Sequence, residues 1–239
     1  MVNLTCGGFD EFISKNTNII INPEENIVKI GDKNFYSNSY FYITGHGNIK
    51  LSDEEKKEKI SHLFSEIMDV IGLDLTDDSL KGTPKRVAKM YIDEIFSGLN
   101  PANKPKVALF ENKYQYNQML VDKNITFYSN CEHHFVPIIG KAHVAYISSG
   151  KVIGLSKLNR IVQYYAKRPQ VQERLTNQIA EELKIILNTE DIAVIIDAKH
   201  LCVSSRGIKD DTSTTVTSYF GGKFQDQAKI SELQNTLNY

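Results

Sequence analysis

Between residues 119 and 220 the hydrophobic rhythm of the chain changes in an order that few folds accommodate. Residues 119–129 and 138–147 are rich in β-branched and aromatic side chains and read as two strands. Two helical segments follow. Ser156 caps the first, with Leu158, Ile161, Val162 and Tyr165 at helical spacing; Pro169 starts the second, with Val171, Leu175, Ile179, Leu183 and Ile186 on one face. Ile192–Ile196 then reads as a short buried strand, which a turn near residues 197–199 separates from Leu201–Ser204, and the Thr-rich stretch Thr212–Phe220 is β-prone. Strands grouped around a helical pair predict an α+β fold, with helices on one face of a mostly antiparallel sheet.

Two further helices precede this region. Ser52-Asp53-Glu54-Glu55 is a capping box, followed by Ile60, Leu63, Phe64, Ile67, Met68 and Ile71 at helical spacing, and Gly72 stops the run. Thr83-Pro84 pairs an N-cap with a proline at the first helical position, Val87, Ala88, Tyr91, Ile95 and Phe96 make the apolar stripe, and Gly98 ends it. The expected organisation is an extension over residues 1–50 with a short hairpin, a helical region over 51–104, and a main domain over 105–239 closed by a terminal helix from Phe224 to Leu237.

Charge and cysteine usage exclude several classes. With 28 basic and 29 acidic side chains the net charge is -1, which argues against a general nucleic-acid coat. No apolar run approaches the ~20 residues of a membrane span, and the first residues lack the basic and apolar regions of a secretory signal. Three cysteines are odd in number and too few for a disulfide scaffold, so a cytoplasmic setting with free thiols is expected. No contact with nucleic acid or membrane is expected.

The densest chemistry is Cys131-Glu132-His133-His134, matched downstream by His200-Leu201-Cys202. Thiolate and imidazole are the preferred ligands of zinc. A turn can bring Cys131 and His134 onto one ion, and Cys202 can supply a third ligand, leaving a fourth position open. In a strand, His200 would stand on the same face as Cys202; His133 could approach from another side. Two imidazoles free of the metal would suit acid–base work. Cysteines are also ordinary core residues, and the spacing alone leaves a closed structural zinc site open beside a catalytic one. Cys6 lies far away in the extension.

A second cluster surrounds the central helices. Ser156, Lys157 and Arg160 open one helix, and Arg86, Lys89 and Arg206 add cations elsewhere. Each alone is an ordinary surface charge; together they would suit a polyphosphate. Gln172 and Glu173 begin the next helix, where an acid is favoured by the dipole. A carboxylate there could also accept two hydrogen bonds from the edge of guanine, with an added contact from the amide.

The strings CEHHFVPIIGKAHVAYI, GLSKLNRIVQ, RPQVQERLT and HLCVSSRGI, with TPKRVAKMYIDEIFSGL before them, closely resemble the GTP cyclohydrolase I family over residues 55–224, leaving the first 50 outside. The resemblance implies a tunnelling fold in which five subunits close a ring and two rings stack into a homodecamer, with sites between subunits. It implies conversion of GTP and water to 7,8-dihydroneopterin triphosphate and formate, the first step of folate or other pterin synthesis. Carried over by position, Cys131, His134 and Cys202 would hold Zn2+ for activation of water. His133 would serve N7 of the purine, and His200 would act as a second acid–base group during ring opening. Ser156 would take part in later proton transfers. Gln172 and Glu173 would grip the guanine, and Lys157, Arg160, Arg206, Arg86 and Lys89 would hold the triphosphate. Ser205 departs from the family pattern, outside any chemical role.

Overall fold

A computed structural model describes residues 51–238 in full and, among the first 50, the backbone of three strands; Cys6 lies outside the described residues. The chain divides into two units, Met1–Gly47 and Asn48–Tyr239. In the first, β1 (Ile19–Asn22), β2 (Ile27–Ile30) and β3 (Lys33–Tyr36) form an antiparallel meander, one strand more than a hairpin.

The second unit opens on α1 (Asp53–Val70). Ser52 accepts from the Glu55 backbone, and the Glu55 carboxylate accepts from the Ser52 backbone, as the capping box requires. Such a cap contributes about 1 kcal/mol. Gly72, at φ 84°, lies just beyond the C-cap Ile71. The stripe expected to be buried is only partly so: Met68 is buried, while Leu63, Ile67, Val70 and Ile71 are exposed.

The next helix differs from expectation at both ends. Helix α2 (Thr83–Lys89) is preceded by Gly82 at the N-cap, so Thr83 is the first helical residue and Pro84 the second. The helix then widens into a π-helical stretch, Met90–Ile95. Gly98 does not end it by a left-handed turn. It sits in a 3-10 turn, Ser97–Leu99, where its N–H donates to the Lys167 carbonyl at 2.9 Å. A Cβ at Gly98 would meet the Tyr164 carbonyl oxygen at 2.1 Å, so glycine is required by close approach of two backbones.

The core is a five-stranded sheet in the order β10-β9-β6-β5-β8. Its strands are β5 (Met119–Cys131), β6 (Pro137–Ile147), β8 (Pro169–Gln170), β9 (Ile192–His200) and β10 (Thr215–Phe220). All pairings are antiparallel except the short β5–β8 pair, where Asn130 faces Pro169 and Cys131 faces Gln170. Strands β4 (Leu109–Glu111) and β7 (Lys151–Ile153) pair separately. Helices α3 (Leu155–Ala166) and α4 (Gln172–Leu187) pack on one sheet face. Leu158, Ile161, Leu175, Ile179 and Leu183 meet Phe127, Ile138, Val144, Val194 and Ile196 there in one buried cluster. Each such side chain contributes roughly 1.5–3 kcal/mol by burial. On the opposite face Met119, Ala145, Ile147 and Ala193 are covered by Phe224 and by Leu233 of the terminal helix α6 (Gln227–Asn238). The α+β architecture expected from the sequence is therefore present.

Three boundaries are corrected. Gly154, not Ser156, is the N-cap of α3, and Ser156 lies inside the first turn. Pro169 belongs to β8, and Val171 caps α4. Most consequentially, β9 runs unbroken to His200, with no turn at 197–199, and Leu201–Ser204 is a single helical turn, α5. The strand continues because Lys199 and His200 keep pairing with Ile139 and Ile138 of β6.

One irregularity decides which way the sheet residues point. Asp122 pairs with Val144 and Ile125 with Ala142, so β5 carries one extra residue there, and Asn124 takes φ 64°. A bulge of one residue exchanges the two faces of a strand. Met119 and Val121 face the α6 side, whereas Ile125, Phe127 and Cys131 face the helices.

Candidate metal and nucleotide site

Cys131 is the last residue of β5, and the chain turns back within five residues to begin β6 at Pro137. The turn is held internally. The Phe135 and His134 N–H groups donate to the Cys131 carbonyl at 2.8 and 3.4 Å, and Cys131 N–H donates to the Val136 carbonyl at 2.8 Å. Phe135 adopts φ 54°, and its ring packs between Tyr91 and Phe96 at centroid distances of 6.5 and 5.3 Å. The turn is also tied to the start of α4. Glu132 N–H donates to the Gln170 carbonyl at 3.0 Å, and the Glu132 carboxylate pairs with Arg174. Arg174 Nε donates to Gln170 Oε1 at 3.1 Å, and Gln170 Nε2 donates to the Tyr165 carbonyl and to Gln178. Glu132, Arg174 and Gln170 were not singled out from the sequence; the acid inside CEHH was the available signal.

Against this turn lies α5, which carries Cys202. One ligand atom each from Cys131, His134 and Cys202 lie within 4.8 Å of one another. Cys131 Sγ is 3.8 Å from His134 Nδ1 and 3.6 Å from His133 Nδ1. Burial, and then the neighbouring Cys131 sulfur, push the Cys202 thiol above its ordinary value, while Arg206 pulls it down. Two thiolates this close repel unless a cation lies between them. Two sulfurs and an imidazole, with Cys131 buried and His134 exposed, make a donor set that fits zinc with a position to spare.

His200 ends β9 rather than sharing a strand with Cys202, so the two reach the same region from a strand end and a helical turn. Its Nε2 lies 2.7 Å from Gln172 Oε1. Burial lowers its pKa below the usual imidazole value, and the Glu173 charge opposes this. His133 projects outward with its Nε2 4.0 Å from Glu132.

The first turn of α4 divides sharply. Glu173 is exposed. Gln172 is 2% exposed, and its Nε2 donates to the Ile196 carbonyl at 3.1 Å and the Thr215 carbonyl at 2.8 Å. The amide that was expected to grip the guanine beside Glu173 thus faces these two carbonyls with its nitrogen and His200 with its oxygen.

The cations sit on separate elements. Lys157 and Arg160 lie in the first turns of α3, and Arg206 follows α5 in an exposed segment. Lys89 ends α2, exposed. Arg86 donates to the Ser79 carbonyl and the Thr83 hydroxyl, both at 2.9 Å. Ser156 is exposed beside Lys157.

Among the described residues no helix is long and apolar enough to cross a membrane. Residues 60–238 match the family model of GTP cyclohydrolase I. GTP cyclohydrolase 1 of Flavobacterium johnsoniae is 63% identical over 207 residues, covering 87% of this chain and 92% of that protein. The span is longer than the chain beyond residue 50, so similarity to this relative reaches into the extension that the motifs had left outside. GTP cyclohydrolase 1 of Vibrio vulnificus is 57% identical over 176 residues, covering 74% of this chain and 81% of that protein. That of Aeromonas salmonicida is 56% identical over 177 residues, with the same coverage.

Proposed function

The chain belongs to the GTP cyclohydrolase I family and is an enzyme of that family, and from this premise we propose that it converts GTP and water to 7,8-dihydroneopterin triphosphate and formate with zinc as cofactor. The observation that carries the zinc dependence is the convergence of Cys131, His134 and Cys202 within 4.8 Å. When bound, zinc supplies Lewis-acid activation of water near neutral pH.

The chain's own residues bind, orient and move protons. Glu173, exposed at the start of α4, accepts from N1–H and N2–H2 of guanine; adenine leaves this carboxylate unpaired and is rejected. His133, on the exposed side of the turn, delivers a proton to N7 as C8 is attacked. His200 exchanges a proton during ring opening and formate release, and Ser156 serves the later rearrangement of the ribose. Lys157, Arg160, Arg206, Arg86 and Lys89 bind the triphosphate, by bidentate guanidinium contacts and ammonium point charges.

These cations lie on separate elements of one chain, which supports a site completed between subunits. The exposed Leu63, Ile67, Val70 and Ile71 of α1, and the sheet edges at β8 and β10, support burial against further copies. The assembly is a decamer of two stacked five-membered rings of tunnelling-fold subunits, active in the cytoplasm in the first step of pterin synthesis.

Formate release from GTP, measured alongside pterin absorbance, tests the reading. Zinc-loaded protein should release formate, a chelator should abolish it, and added zinc should restore it. Zinc-loaded protein that binds GTP but yields neither product would overturn the proposal in favour of a nucleotide-binding role.

A further inference from the structure

The carboxamide of Gln172 lies where α4, β9 and β10 meet. Its nitrogen faces two backbone carbonyls, of Ile196 at 3.1 Å and Thr215 at 2.8 Å, and its oxygen faces His200 Nε2 at 2.7 Å. A carboxamide nitrogen has two hydrogens, and its oxygen only accepts. Rotated by half a turn, the group would set its oxygen, which only accepts, against two carbonyl oxygens, and this mismatch fixes its orientation. Both N–H bonds are then used, so His200 Nε2 must be the donor in its contact with Gln172.

We infer that Gln172 is a positioning residue that holds the hydrogen of the His200 ring on Nε2 and presents Nδ1 to the substrate. The ring cannot turn over without breaking the 2.7 Å contact, and Nδ1 has no hydrogen-bond partner among the described residues. Gln172 thus selects the nitrogen at which His200 exchanges a proton with substrate, and its anchors on β9 and β10 make that selection a property of the sheet. A neutral imidazole has one donor and one acceptor nitrogen, so fixing the donor also fixes the acceptor. The inference rests on the proposed cyclohydrolase reaction and assigns Gln172 to His200 rather than to the guanine edge.

The test uses the zinc-loaded full chain with 15N in its histidine rings. Solid-state NMR at neutral pH should show the His200 resonances, identified by their loss in His200→Ala, with Nε2 of the protonated type and Nδ1 of the unprotonated type. A hydrogen on Nδ1 would overturn the inference, and this measurement needs no change at Gln172. In Gln172→Met, which keeps the shape and loses the hydrogen bonds, the two ring forms should mix. Its kcat should fall about 100-fold, within the range for a mispositioned acid–base group, while KM for GTP and zinc content stay near wild type. A raised KM with kcat retained would instead mark Gln172 as a base contact and sink the positioning role. If the wild-type chain released no formate from GTP, the reaction beneath the inference would fall, while the ring assignment would still be decided by the spectrum.

Discussion

Arg174 pairs with Glu132, and this one contact joins the first turns of α4 to the turn that carries Cys131, His133 and His134. The Arg174 side chain is 13% exposed and that of Glu132 33%, so the pair is shielded on one side and reached by water on the other. Arg174 also holds Gln170, the residue opposite Cys131 in the parallel β5–β8 pair.

Removing the guanidinium should therefore loosen the metal turn before it unfolds the domain. Arg174→Met is expected to cost about 2 kcal/mol of stability, read from the urea midpoint. It should weaken zinc binding by roughly 10- to 100-fold, as loss of a group that orients ligands does. Zinc affinity equal to wild type, in competition with a chromophoric chelator, would show that the turn holds itself.

Ligands and acid–base groups should separate under substitution. Cys202→Ala should lose bound zinc, measured by elemental analysis of the purified protein. His133→Ala should keep zinc and lose roughly 100- to 10,000-fold in kcat. Zinc loss in the His133 variant would make it a ligand.

Gly98→Ala places a methyl group 2.1 Å from the Tyr164 carbonyl oxygen and 2.7 Å from that of Lys167. It also strains the bond from Arg168 Nε to the Gly98 carbonyl, 2.9 Å long. The expected loss is about 3 kcal/mol, at the upper end for overpacking, seen as a lower thermal midpoint. The variant should disturb the joint between the 3-10 turn and the end of α3 while leaving the sheet intact.

Stability should fall on mild acidification through His143. Its Nδ1 accepts the Asn124 N–H at the bulge, at 3.3 Å, and burial lowers its pKa below 6.5, with Asp197 opposing and Lys123 and Lys141 assisting. A folded pKa below the unfolded one means the neutral ring stabilises the native state above pH 6.5, and that contribution is lost as pH falls through the lower folded value. Urea midpoints at pH 7.5 and 5.0 should differ more in wild type than in His143→Gln; equal slopes would refute the assignment.

The readable features of this chain were those whose cause is local. Ser52 and Glu55 cap α1 through a contact three residues apart, and Cys131, His134 and Cys202 announce themselves by ligand type. The misread features depend on distant partners. Residues 197–199 resemble a turn, but the facing strand β6 keeps them extended. Gly98 resembles a helix stop, but its small size serves the close approach of the Tyr164 and Lys167 backbones. The bulge had one local trace, Asn124, a residue type that tolerates the left-handed region.

That bulge makes β5 a strand whose two halves are out of phase. A substitution on either half disturbs one side chain, but a deletion at Asn124 would shift the phase of everything after it. Phe127 and Cys131 would turn away from the helices together, and the cysteine would leave the side of the sheet where its partners wait. A change in length here, even by a single residue, therefore reaches further along the strand than the exchange of any one side chain.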